Sequence, residues 1–163
     1  MRPWTFRPLT EGERGLARMV FGAALACSRV RLLAVPALNR AFVAGAGLIV
    51  WPVRSARLDF AGADVPAAVQ AQFVHELVHV WQAQHGTWLP WAKILAGDGE
   101  AAYAYDLDGS RRFAELNIEQ QAMVVEHAFL TLRGGRPPSP ARVYAAVLEK
   151  ALPALATRLA QDA

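Results

Sequence analysis

The sequence predicts an α+β domain, mostly helical, with a small sheet packed beside the second of its helices. The chain has 163 residues, 54% hydrophobic and 19% charged, enough to bury one core without disulfide staples and too apolar for a disordered chain. Three stretches repeat apolar residues at helical spacing behind recognisable caps. Residues 30–60 instead break into short apolar runs separated by Pro36, Asn39, Gly45, Gly47 and Pro52, the pattern of short strands. One domain over residues 1–163 is expected, with an N-terminal tail at 1–9 and a C-terminal helix at about 140–160.

Thr10 and Glu13 stand at capping-box spacing, so a first helix starts there and runs through Leu16, Met19, Val20 and Phe21 to a loosened end at Gly22. Residues 30–35, 48–53 and 58–60 are the expected strands. Asp64, with Pro66 in the first turn, opens a second helix whose stripe is Val65, Val69, Phe73, Leu77 and Trp81 and whose end lies near Gly86. Residues 88–99 read as a loop or short helix and 101–107 as an extended piece, followed by an Asp108-Gly109 turn. Asn117 caps a third helix from Ile118 to about Leu132, with Ala122, Val125, Phe129 and Leu132 on one face. After the loop at 134–138, Ser139-Pro140 opens a fourth helix that Pro153 threatens to interrupt.

Charge and hydropathy exclude several classes. Against 14 acidic residues stand 17 Lys and Arg, scattered except for pairs such as Arg111-Arg112, and nucleic-acid binding needs a basic stripe. The longest uncharged apolar run, residues 41–53, is shorter than the ~20 residues of a membrane span. Glu11, Glu13, Arg14 and Arg18 put both signs of charge in and before the apolar part of residues 15–27, which does not suit a secretory signal. A cytoplasmic location is expected, with non-classical export open. The single cysteine, Cys27, has no partner for a bridge or a metal-binding pair and is expected as a buried thiol.

His75-Glu76-Leu77-Val78-His79 lies inside the second helix. A four-residue helical step turns by about 40°, so both imidazoles leave one side and can hold one metal ion. Composition alone would produce this HExxH string with a chance of about 0.5%, and here its flanks are apolar, which makes incidental exposed His and Glu the poorer reading. Zinc binds neutral imidazole and, in catalytic sites, takes three protein ligands and keeps one position for water. Glu76 is placed to accept a proton from that water.

Two residues compete for the third ligand. His85 stands where the longer HExxHxxGxxH pattern has its last histidine. That pattern breaks its helix at a glycine, and Gln82 occupies the position here. With the helix continuing, His85 falls about 80° off the His75 side. Glu119, in the first turn of the Asn117-capped helix, would complete a two-His, one-Glu set from a second helix and is favoured, although an acid there also complements the helix dipole. Glu126, two turns further along the same face, can accept from a ligand histidine. Tyr103 and Tyr105 alternate on one side of the expected extended piece, where a phenol can donate to an oxyanion or simply pack. His127 is expected to be packed or solvated, and Gln82 to touch the site or pack.

These residues also carry a resemblance. His75 to Gln82 (HELVHVWQ), Leu9 to Arg14 (LTEGER), Phe21-Gly22, Val30-Arg31 and Asn117 to Ala122 (NIEQQA) resemble bacterial Vgr-related proteins, which in turn look like the metallopeptidase domain of extracellular contractile injection system core proteins and toxin-associated polypeptides. The likeness runs from Leu9 to about Ala128. It implies a zincin-like fold, Zn²⁺ held by His75, His79 and Glu119, and hydrolysis of a peptide or protein substrate with Glu76 activating water. It equally admits a non-catalytic zinc-binding assembly module of a phage-tail-like or type VI secretion apparatus. In a zincin-like fold the edge strand beside the active-site helix can hold an extended peptide, and residues 48–51 are the expected edge. Residues 29–64 depart from the likeness in being short and rich in Ala and Gly.

Overall fold

A computed structural model describes residues 1–97, 99–107 and 112–161. Among the described residues the chain is α+β, with seven α-helices and a four-stranded sheet. The elements in chain order are β1 (Phe6–Pro8), α1 (Glu11–Phe21), β2 (Arg31–Val35), β3 (Phe42–Ala44), β4 (Leu48–Pro52), α2 (Ala67–Gln84), α3 (Leu89–Ala96), α4 (Glu100–Tyr103), α5 (Ile118–Leu132), α6 (Ala141–Leu148) and α7 (Pro153–Gln161). The sheet order is β1-β2-β4-β3, with β2 and β4 parallel and both outer pairs antiparallel.

The expected tail at 1–9 carries β1, whose three residues are too few to show a period in the sequence. Its place is secured by Arg7, which grips the Glu13 carboxylate through two 2.7 Å hydrogen bonds. Glu13 is the N3 residue of the Thr10 capping box, yet it is fully buried because its oxygens also accept from the N–H groups of Thr10 and Phe60. One carboxylate thus joins β1, α1 and the loop at 53–66, and its four donors offset the cost of burying the charge.

Residues 58–60 form no strand. Leu58 is exposed, whereas Phe60 is buried, stacked on Phe73 at 4.6 Å and tilted against Trp51 at 4.5 Å. The apolar signal there marks a plug that fills the space between β4 and α2. The sheet's fourth strand is β3, joined to β4 by a hairpin turning at Gly45 with φ +61°. A Cβ on Gly47 would lie 2.5 Å from the Arg29 carbonyl oxygen, so only glycine lets this turn pass under the entry to β2. With β3 outside it, β4 is interior, and the edge on this side of the sheet is β3 rather than residues 48–51.

Helix α2 starts at Ala67 behind Pro66 without a side-chain cap, so Asp64 does not cap it. From Phe73 to Val80 every residue is buried, because α2 packs against β3 and β4 as well as against α1, α3 and α5. The expected single stripe is therefore widened into a central helix. Residues 101–107 are not an extended strand: α4 occupies the first part and 104–107 follow without regular structure. The Asp108-Gly109 turn and Arg111 lie outside the described residues. Pro153 divides the expected C-terminal helix into α6 and α7, since proline has no N–H for the helical ladder but fits a first turn. Cys27 is half-buried, in a 3-10 turn.

Candidate metal centre

His75 and His79 leave the same side of α2 one turn apart, with ring centroids 5.0 Å apart and planes at 77°. Their Nε2 atoms lie 3.5 and 3.4 Å from one oxygen, Oε2 of Glu119. Glu119 reaches them because Asn117 caps α5: its Oδ1 accepts from the N–H groups of Glu119 and Gln120 at 2.9 Å, while Gln120 Oε1 accepts from the Asn117 N–H. That reciprocal cap starts the first turn of α5 where α5 packs on α2. The three side chains are buried, and one ligand atom from each lies within 4.8 Å of the other two.

Both imidazoles are held from behind. His75 Nδ1 lies 2.9 Å from Glu126 Oε2, and His79 Nδ1 lies 2.9 Å from Gln82 Oε1. With Nδ1–H donating to these oxygens, each Nε2 carries its lone pair toward Glu119. Glu76 is 7% exposed, and its Oε2 has no hydrogen-bond partner among the described residues. Two imidazole nitrogens and a carboxylate so placed could hold a divalent metal ion, with the unpartnered Glu76 oxygen beside them.

The cluster floors a cavity of about 540 Å³, within the range of ligand sites. Arg40, Phe42 and Val43 line one wall beside edge strand β3, and Leu89, Pro90 and Lys93 of α3 line another. Lys93 is a residue of the cluster's surroundings that sequence reasoning missed. Its Nζ donates to Glu119 Oε1 at 2.5 Å and lies 3.5 Å from the Tyr103 hydroxyl. A lone lysine in a tryptophan-rich segment carries no sequence signal for such a role. The same face of α3, with Leu89 and Lys93, turns inward, and Trp88, Trp91, Ile94 and Leu95 are exposed.

Other expected residues lie elsewhere. His85 follows the end of α2, exposed, with Nδ1–H donating to the Trp81 carbonyl at 2.8 Å. It stays outside the cluster because α2 continues to Gln84 without a break at Gln82. Tyr103 lines the cavity, but Tyr105 does not share its side. The Tyr105 hydroxyl lies 2.5 Å from His127 Nδ1 and 2.8 Å from the Tyr144 hydroxyl, tying residues 104–107 to α5 and α6.

Without a metal the charges adjust to one another. Burial pulls His75 down, but hydrogen bonds to Glu119 and Glu126 outweigh it and hold the imidazole at about 9. Burial raises Glu119, but His75, His79 and Lys93 outweigh it and hold the carboxyl well below its ordinary range. Burial pushes Glu76 up, only partly opposed by His79 and His75. Lys93 is raised because Glu119 outweighs its partial burial. Burial and Tyr144 push the Tyr105 phenol up, and burial pushes His127 down.

Fold and site define an α+β protein in which an HExxH helix and a capped second helix bring two histidines and a glutamate together beneath an open cavity. The effector domain of Pseudomonas aeruginosa VgrG2b is similar in structure, with a TM-score of 0.64 and 32% identity over 78% of this chain and 75% of that one. The chain belongs to the family of this VgrG2b effector domain and is Vgr-related. It is also 32% identical over 145 residues to the type VI secretion system spike protein VgrG2b of P. aeruginosa strain PAO1, covering 76% of this chain. The chain spans 13% of the length of that curated relative. No family model matches it.

Proposed function

We propose that this chain is an effector module linked to a type VI secretion spike and that it acts as a zinc-dependent peptidase. Its kinship with the VgrG2b effector domain supports the first part. The observation that carries the second is the unpartnered, buried Glu76 carboxylate oxygen beside the His75-His79-Glu119 set under an open cavity. A purely structural zinc site closes its fourth position with protein and has no use for such a group.

His75, His79 and Glu119 would hold the ion, and Glu126 and Gln82 keep the two imidazoles aimed at it. A bound zinc ion supplies Lewis acidity, lowering the pKa of a water and polarising a substrate carbonyl. Glu76 takes a proton from the attacking water as its oxygen bonds to the peptide carbon, then passes that proton to the leaving amide nitrogen as the C–N bond breaks. Tyr103 lines the cavity, and its hydroxyl would donate to the developing oxyanion, with Lys93 beside it. The free edge of β3 gives an extended peptide main-chain partners along the cavity wall.

Metal content and cleavage of a broad peptide library, measured together on wild type and Glu76→Gln, test this reading. One zinc per chain in both proteins with cleavage only by wild type is expected. The spike relationship also favours a second reading, a non-catalytic zinc-stabilised assembly module. It predicts bound zinc, a drop in Tm on zinc removal, and no cleavage by either protein.

A further inference from the structure

The two histidines are backed by different chemistry. His75 Nδ1 faces a carboxylate, Glu126, which can only accept and so dictates an Nδ1–H. His79 Nδ1 faces the side-chain amide of Gln82. An amide has an accepting end and a donating end, and it dictates nothing unless its own orientation is set.

Here that orientation is set twice over. Gln82 Nε2 donates to the Ile118 carbonyl at 3.0 Å and to Gln121 Oε1 at 2.9 Å. Turned over, the amide would point its oxygen at two acceptors. Gln121 cannot turn over to relieve this, because its own Nε2 donates to the carbonyls of Phe113 at 3.1 Å and Leu116 at 3.2 Å, and a main-chain carbonyl never donates. Gln82 is 2% exposed, so bulk water does not repair a wrong orientation, and a buried unsatisfied polar group is costly.

We infer that Gln121 and Gln82 are positioning residues, forming an amide relay that transmits the direction of the Phe113 and Leu116 carbonyls to His79, places the imidazole proton on Nδ1 and leaves Nε2 free to ligate. The inference rests on the metal reading of the His75-His79-Glu119 cluster. It assigns function to Gln121, which touches none of the three ligands through a side-chain hydrogen bond. It also makes Gln82→Glu harmful. A carboxylate is ordinarily the stronger acceptor for a ligand histidine, but here its second oxygen would meet the Ile118 carbonyl and Gln121 Oε1.

The test compares wild type, Gln82→Leu, Gln82→Glu and Gln121→Leu. The readouts are zinc affinity by competition with a chromogenic chelator, the visible spectrum of the Co²⁺-loaded proteins, and ¹⁵N NMR of the zinc-loaded imidazoles, with metal-free melting as the control for folding. Wild type should show a His79 Nδ1–H in slow exchange with water. Zinc affinity should fall by about 10-fold in Gln121→Leu and by about 10–100-fold in both Gln82 variants, with altered Co²⁺ bands. Gln121→Leu and Gln82→Glu retain the test should Gln82→Leu fail to fold. Wild-type zinc affinity in Gln121→Leu and Gln82→Glu, even with lowered melting temperatures, overturns the relay and leaves the metal reading standing. A wild-type protein that takes up neither zinc nor Co²⁺ overturns the metal reading, and the relay's role with it.

Discussion

Replacing Glu119 by alanine removes one of three ligand atoms lying within 4.8 Å of one another. Four-ligand structural zinc sites bind with about 10–16 kcal/mol, or ~2.5–4 kcal/mol per ligand. Loss of Glu119 should therefore weaken zinc binding by roughly 10²–10³-fold. At a zinc concentration ~1,000 times the wild-type Kd, binding adds about 4 kcal/mol to stability, while a variant bound ~10³-fold more weakly gains about 0.4 kcal/mol. At ~10²-fold weakening the variant would still gain about 1.4 kcal/mol, so at ~2–4 °C per kcal/mol for a chain of this size zinc should raise the wild-type Tm by ~8–16 °C and that of Glu119→Ala by only ~1–6 °C. The metal-free Tm should move less than the zinc increment does. The Lys93 side chain is 36% exposed, so its ammonium can turn to water, and His75 keeps Glu126. Thermal melts with and without zinc, alongside chelator competition, read both quantities. A Glu119→Ala protein that keeps the full zinc increment while His85→Ala loses it would refute the assignment of the third ligand.

Glu76→Gln should keep zinc stoichiometry and Tm within a few degrees but lower peptide cleavage by at least ~10²-fold, the scale of a lost general base; wild-type turnover in that variant contradicts the role of Glu76. Gly47→Ala should lower Tm through a clash of its Cβ with the Arg29 carbonyl, 2.5 Å away, at a cost of about 1–3 kcal/mol; an unchanged melting curve contradicts the close approach. The pH dependence of metal-free stability follows from the cluster. Against the pull of burial, Glu119 and Glu126 hold His75 at about 9, so its contribution is complete below 6.5 and is lost as pH rises through about 9. Glu119, held low, contributes above 4.5 and loses that contribution as pH falls. Metal-free Tm should peak between about pH 4.5 and 6.5, and the zinc increment should grow with pH because zinc competes with protons for the imidazoles; a metal-free maximum above pH 8 contradicts this.

Local patterns in the sequence were enough to place α1 at the Thr10-Glu13 capping box, α5 behind Asn117 and the strand segments β2 and β4, since caps and periodicity act within a few residues; that β2 and β4 pair in parallel was not legible. The three-residue strands β1 and β3 were invisible because they exist only by pairing with β2 and β4. The apolar run at 58–60 misled for the opposite reason: hydrophobicity records burial of Phe60, and strand and plug bury it equally well.

The same division runs through the site. By itself the sequence determined that His75 and His79 share one side of a helix with Glu76 between them, because a four-residue step on a helix has one geometry. It also determined that Glu119 begins a capped helix. Only the tertiary structure decided that Glu119 comes within 3.5 Å of both imidazoles, and that Lys93 and Gln121 come in behind Glu119 and Gln82. Those residues lie on separate elements, and nothing local relates one helix to another. Their meeting depends on how α2, α3 and α5 pack, which is set by the side chains of the whole core.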